Sequence, residues 1–204
     1  MERSFFSERT AEYVLIPQFI KLINSVYPQA IPLYYWSSRE GNTLALNSFK
    51  GVPIRVVALY ARRPKLKHVN ASIIQIKFNQ MLFDRADFFM KNGIQTFIGT
   101  PIVNSLFDLS LESYCKWFEL KDGGQEESLN IETKNKNSIE TENVRELTIS
   151  DIIEKITINC SVRSWDATTE IIKKLKRRHD FERQITFGLF GDLYKPVYFI
   201  LPVN

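Results

Sequence analysis

The stretch that most constrains this chain is ASIIQIKFNQMLFDRADFFMKNGIQTFIGTPIV, residues 71–103, where strand, helix and strand follow one another with their punctuation in place. Ile73, Ile74, Ile76 and Phe78 form a short apolar run interrupted only by Gln75 and Lys77, the pattern of a mostly buried strand. Met81, Leu82, Ala86, Phe89 and Met90 recur at helical spacing, and Asn92-Gly93 supplies a left-handed stop. Ile94 to Ile98 begins a second apolar run, ended by Gly99 and Pro101. Strand, helix, strand predicts a βαβ unit in which 73–78 and 94–98 run parallel, so the chain is α/β (α+β) with a mixed sheet.

The flanks fit around that unit. Residues 7–26 read as a helix with Ser7 as N-cap and Pro17 as a kink, its apolar positions being Val14, Leu15, Phe19, Leu22, Ile23 and Val26. Strands are predicted at 33–36, 43–49, 53–60 and 115–120, with a basic loop, ARRPKLKHVN, ahead of residue 71. Residues 121–143 hold almost no large apolar side chain and are expected to be a flexible acidic insertion. Beyond it, 148–156 is a short amphipathic helix, Asp166 caps a second helix beside Trp165, and 185–190 with 196–203 makes a hairpin whose second strand Pro196 marks as an edge. The organisation expected is one domain over 1–204, elaborated by 121–143 and by a helix-plus-hairpin subdomain over 148–204.

Charge is distributed unevenly. Residues 1–120 hold 14 Lys/Arg against 9 Asp/Glu, 121–154 hold 4 against 9, and 155–204 hold 9 against 5, so an acidic segment divides two basic ones. Between Glu40 and Asp84 there is no carboxylate, while seven basic residues lie there, which predicts a positive face. The N-terminal segment carries acids, and no run of eighteen apolar residues occurs, so neither a secretion signal nor a membrane span is expected and the location expected is intracellular. Cys115 and Cys160 are too few for a disulfide framework, and neither sits at zinc-ligand spacing.

The order helix, antiparallel strands, then βαβ, with Gln75-Ile76-Lys77 on the strand ahead of the crossover helix, resembles the core of the PD-(D/E)XK nuclease superfamily over residues 8–103. The resemblance implies a metal-binding side chain two residues before a catalytic lysine, both on one strand face because side chains repeat every second residue. It makes Glu12, Glu40 and Gln75 the ligands of a Mg²⁺ ion and Lys77 the residue that orients the attacking water. The superfamily's upstream aspartate has no counterpart in residues 41–83, where Glu40 is the nearest acid. An active Mg²⁺-dependent nuclease and a nuclease-like scaffold that has lost catalysis both follow from the resemblance.

Two basic clusters are candidate nucleic-acid contacts: Arg62, Arg63, Lys65 and Lys67 in the loop, flanked by Tyr60 and His68, and Lys173, Lys174, Arg177 and Arg178 at a helix end. The second cluster, followed by a hairpin, also resembles a winged helix-turn-helix. No nucleophile elbow, phosphate loop or dinucleotide glycine pattern is present. The expected function is therefore that of a nucleic-acid-associated protein, binding DNA or RNA. The alternative is a non-enzymatic assembly subunit whose basic charge serves an acidic protein partner or an anionic membrane surface.

Overall fold

A computed structural model describes residues 8–26, 34–37, 51–66, 73–102, 115–132, 137–171, 173–174 and 196–203. In chain order the elements are α1 (Glu8–Val26), β1 (Tyr34–Ser37), β2 (Ile54–Ala61), β3 (Lys65–Leu66), β4 (Ile73–Phe78), α2 (Gln80–Lys91), β5 (Gln95–Pro101), β6 (Cys115–Leu120), β7 (Glu127–Glu132), β8 (Val144–Leu147), α3 (Ile149–Ile158) and β9 (Val197–Pro202). A further helical segment starts at residue 165. The strands form a six-stranded mixed sheet, order β1-β9-β2-β5-β6-β8, and a three-stranded antiparallel sheet, order β3-β4-β7. The fold is α+β.

Alternation along the central strands sorts the molecule into layers. Val57, Leu59, Phe97 and Phe199 join Leu15, Phe19, Ile152 and Ile156 in one apolar cluster, so α1 and α3 cover one face of the large sheet. Val56, Ala58, Tyr60 and Ile98 join Ile74, Ile76, Phe78, Leu82 and Phe89 in the other, so α2 and the small sheet cover the opposite face. Phe19 is the keystone of the first layer, its ring centroid 4.7 Å from Phe199, 5.4 Å from Trp117 and 6.0 Å from Phe97. Gly99 lets α1 come this close: a Cβ there would stand 2.7 Å from the Trp117 ring and 3.0 Å from Leu15. Pro17 is exposed on the outer side of α1, where its missing N–H is cheapest to tolerate, and the helix runs through it.

Helix α2 is closed at both ends as its sequence dictates. The Asn79 side chain accepts from the Leu82 N–H at 3.0 Å, and Gly93, at φ 65°, lets its N–H reach Met90 O while Ile94 N–H reaches Phe89 O. Thr148 and Asp151 form a reciprocal capping box on α3.

Several expectations are corrected. The parallel partner of β5 is β2, in register Val57↔Gln95 to Ala61↔Gly99, and β4 belongs to the other sheet. The reason is burial: β5 is buried at every position, as a strand covered on both faces must be, whereas β4 alternates and leaves Lys77 in solvent. Within the expected insertion, β7 pairs with β4 along its whole length and buries Leu129 and Ile131, so 127–132 is a packed strand. Strand β9 lies between β1 and β2 rather than at an edge. It reaches the interior because Pro196 falls just before the strand and Pro202 at its end, so neither removes a mid-strand donor. Strand β9, from the segment expected as a helix-plus-hairpin subdomain, is thus part of the six-stranded sheet. The last helical segment starts one residue before Asp166, with the Ser164 hydroxyl accepting from Ala167 N–H at 3.2 Å as its cap. The strand expected at 43–49 and the hairpin strand at 185–190 lie outside the described residues.

Candidate functional site

The small sheet has two unlike faces. Ile74, Ile76 and Phe78 of β4 and Leu129 and Ile131 of β7 turn inward, and Phe78 meets Phe118 edge-on at 5.6 Å. The intervening positions turn outward. Register places Lys65 beside Gln75 and Gln75 beside Asn130, with Lys77 beside Ser128 and Ile73 beside Glu132. Gln75 Nε2 donates to Asn130 Oδ1 at 3.3 Å, and Lys77 Nζ lies 2.6 Å from Glu126 Oε1, both of these side chains being about half exposed. The outer face is thus a row of amides and a hydroxyl flanked by lysines, with Ile73, Glu126 and Glu132 at its ends and Arg63 exposed just ahead of β3.

Arg62 stands apart from its neighbours and corrects the expectation for the basic loop. It is 7% exposed, and its guanidinium donates from Nε (3.1 Å) and from Nη2 to the carbonyl oxygen of Lys77. Its own N–H donates to Gly99 O at 2.8 Å, and its carbonyl accepts from Thr100 Oγ1 at 2.9 Å. Because β3 is only two residues long, β4 has no strand partner beside residue 77 on its β3 side, and the Arg62 side chain fills that place. Arg62 is a bond between the two sheets, not a phosphate contact.

The residues expected to form a metal centre do not converge. Gln75 and Lys77 share a face, as their spacing requires, but Glu12 is on α1, across the large sheet. Two layer spacings, each on the order of 10 Å, separate these elements, too far for one hard cation to be shared. Glu40 lies outside the described residues. Lys77 is engaged by Glu126, and the strand that does run parallel to β5 reads IRVVALYA, with no acid and no lysine. Among the described residues no three His, Cys, Asp or Glu side chains are grouped to hold a metal ion. The described side chains, Glu12, Gln75 and Lys77, therefore do not fit the single Mg²⁺ site that the nuclease resemblance implies.

At the other basic cluster, Lys173 pairs with Glu170 at 2.9 Å and Lys174 is exposed, while Lys67, Arg177 and Arg178 lie outside the described residues. A cleft of about 380 Å³ opens between α2 and the 121–125 turn, lined by Phe83, Asp84, Asp87, Lys91, Lys121 and Asp122 among others. Lys91 beside it holds the Asp87 carboxyl below the usual carboxylate range through a hydrogen bond of 2.7 Å. No helix among the described residues is long and apolar enough to cross a membrane.

Sequence reasoning missed Ser128, Asn130 and Glu126, which sat inside the supposed insertion. The signal was there: Leu129 and Ile131 alternate with polar neighbours in ESLNIE, the period of a one-sided strand. No protein-family model, curated protein or solved structure matches this chain.

Proposed function

We propose that the protein is a non-catalytic nucleic-acid-associated protein that lays the outer face of its small sheet against the polyanion. The observation that carries this reading is the register that sets half-buried Lys65 and Gln75 in one row with exposed Asn130 on the outer polar face, with exposed Lys77 and Arg63 beside it. Lysine and arginine supply the phosphate contacts, while amides and a hydroxyl supply donors and acceptors that lose nothing when they exchange water for sugar or base. Two of its three strands, β3 and β4, come from the segment between Glu40 and Asp84 that holds no carboxylate. A metal-dependent nuclease is the weaker reading, because its ligands are divided between opposite sides of the large sheet.

Fluorescence anisotropy with labelled DNA and RNA at low salt tests the proposal. Binding is expected, and the charge reversals Arg63→Glu and Lys65→Glu together weaken it more than tenfold while Lys173→Glu does so less. No binding to either polymer, or binding indifferent to the reversals, rejects it.

A further inference from the structure

We infer that the preferred ligand of this face is double-stranded DNA, read in the major groove by Gln75 and Asn130. This rests on the nucleic-acid reading above and goes beyond it by naming the form of the polymer and the reading residues. The inference starts from shape. Over six residue pairs, Ile73↔Glu132 to Phe78↔Glu127, β4 and β7 form a two-stranded antiparallel ribbon, with β3 alongside for only two residues. Such a ribbon is about 20 Å long at roughly 3.4 Å per residue. A B-form major groove, about 12 Å wide, admits a two-stranded ribbon, whereas the deep, narrow groove of A-form RNA excludes side chains.

Chemistry narrows the ligand further. The outward positions of the ribbon are Ile73, Gln75, Lys77, Ser128, Asn130 and Glu132, none of them aromatic, so the stacking platform on which single strands are held is missing from this face. At its centre stand two carboxamides 3.3 Å apart, each presenting a donor and an acceptor, the pair of groups that matches N6 and N7 of adenine. Lys65, in register with Gln75, and exposed Arg63 lie along one edge, where a ribbon in the groove meets a phosphate wall. Two carboxylates bound the ribbon: Glu132 opposite Ile73 at one end, and Glu126 on Lys77 at the other. Lys77 must therefore exchange Glu126 for a phosphate when DNA binds, so Glu126 tempers the affinity.

The experiment compares a 20-base-pair DNA pool of random sequence, the corresponding single strands and duplex RNA by anisotropy, with wild type, Gln75→Ala, Asn130→Ala and Glu126→Gln, each checked for folding by circular dichroism. Duplex DNA is expected to bind at least about tenfold more tightly than the other two, and selection from the pool to return an adenine-bearing site. On that site each amide truncation costs about five- to a hundredfold without changing the salt slope, since neutral groups displace no counterions. Glu126→Gln is expected to tighten binding and steepen the slope by about one. Single strands or RNA binding as tightly as duplex DNA, or truncations within twofold of wild type, overturns the inference and leaves the nucleic-acid reading standing; no binding to any of the three overturns both.

Discussion

The Arg62 guanidinium closes the open edge of β4 by donating to the carbonyl oxygen of Lys77, 15 residues away, while the Arg62 backbone extends the ladder between β2 and β5. One residue thereby ties the large sheet to the small one. Arg62→Ala leaves the Lys77 carbonyl without its partner and is expected to cost about 2–4 kcal/mol, whereas Arg63→Ala, next to it and exposed, stays within about 0.5 kcal/mol. Urea unfolding of the two variants checks this; equal effects would show that the buried bond contributes nothing.

Strand β7 is expected to behave as core. Ile131, 2% exposed, packs in the cluster with Ile74, so Ile131→Ala should lower stability by about 2–5 kcal/mol while Ser128→Ala on the outer face is nearly neutral. Should Ile131→Ala leave the melting temperature unchanged, 127–132 would be the loose insertion that its composition suggests.

Elements with a strong local signature were legible in the sequence: α1, α2 with its Gly93 stop, β6 at its observed bounds and the helix beginning after Thr148. Pairing was not, because it is decided by which faces are covered. The run IIQIKF reads as mostly buried, yet Gln75 and Lys77 make β4 a one-sided strand, and the unbroken burial of β5 demanded a partner covered on both faces, which IRVVALYA provides and IIQIKF does not. The insertion was misjudged for a related reason: average composition over 121–143 hid the period-two alternation of six residues. Of the candidate site, the shared face of Gln75 and Lys77 was legible from spacing alone. The inward turn of Arg62 was not, since a basic loop reads the same whether its cations face solvent or an orphan carbonyl.

Stability should fall in alkali. Burial pushes the Cys115 thiol up to about 12 and raises Cys160, Tyr60 and Tyr198 above their ordinary values, with Arg85 opposing part of the rise at both tyrosines. In the unfolded chain thiols ionise near about 8.5 and phenols near about 10. Well below pH 8.5 both states hold these protons and nothing is lost. Above it the unfolded state binds fewer protons than the native state, so stability declines as pH rises toward the folded values. The urea midpoint at pH 10.5 is expected to lie below that at pH 7.5. Tyr60→Phe should blunt the fall, with little cost at neutral pH because the Tyr60 hydroxyl is buried without a hydrogen-bond partner among the described residues. A midpoint that holds or rises to pH 10.5 contradicts the burial of these four groups.

The most direct test of the account is the salt dependence of duplex DNA binding between about 50 and 200 mM salt, measured for wild type and for Arg63→Ala with Lys65→Ala. Each phosphate neutralised contributes about −0.9 to the log–log slope, so removing both cations should make the slope shallower by about two with the fold intact. Identical slopes for the two proteins, or wild-type binding that ignores salt, would contradict the claim that the outer face of the small sheet meets the phosphates.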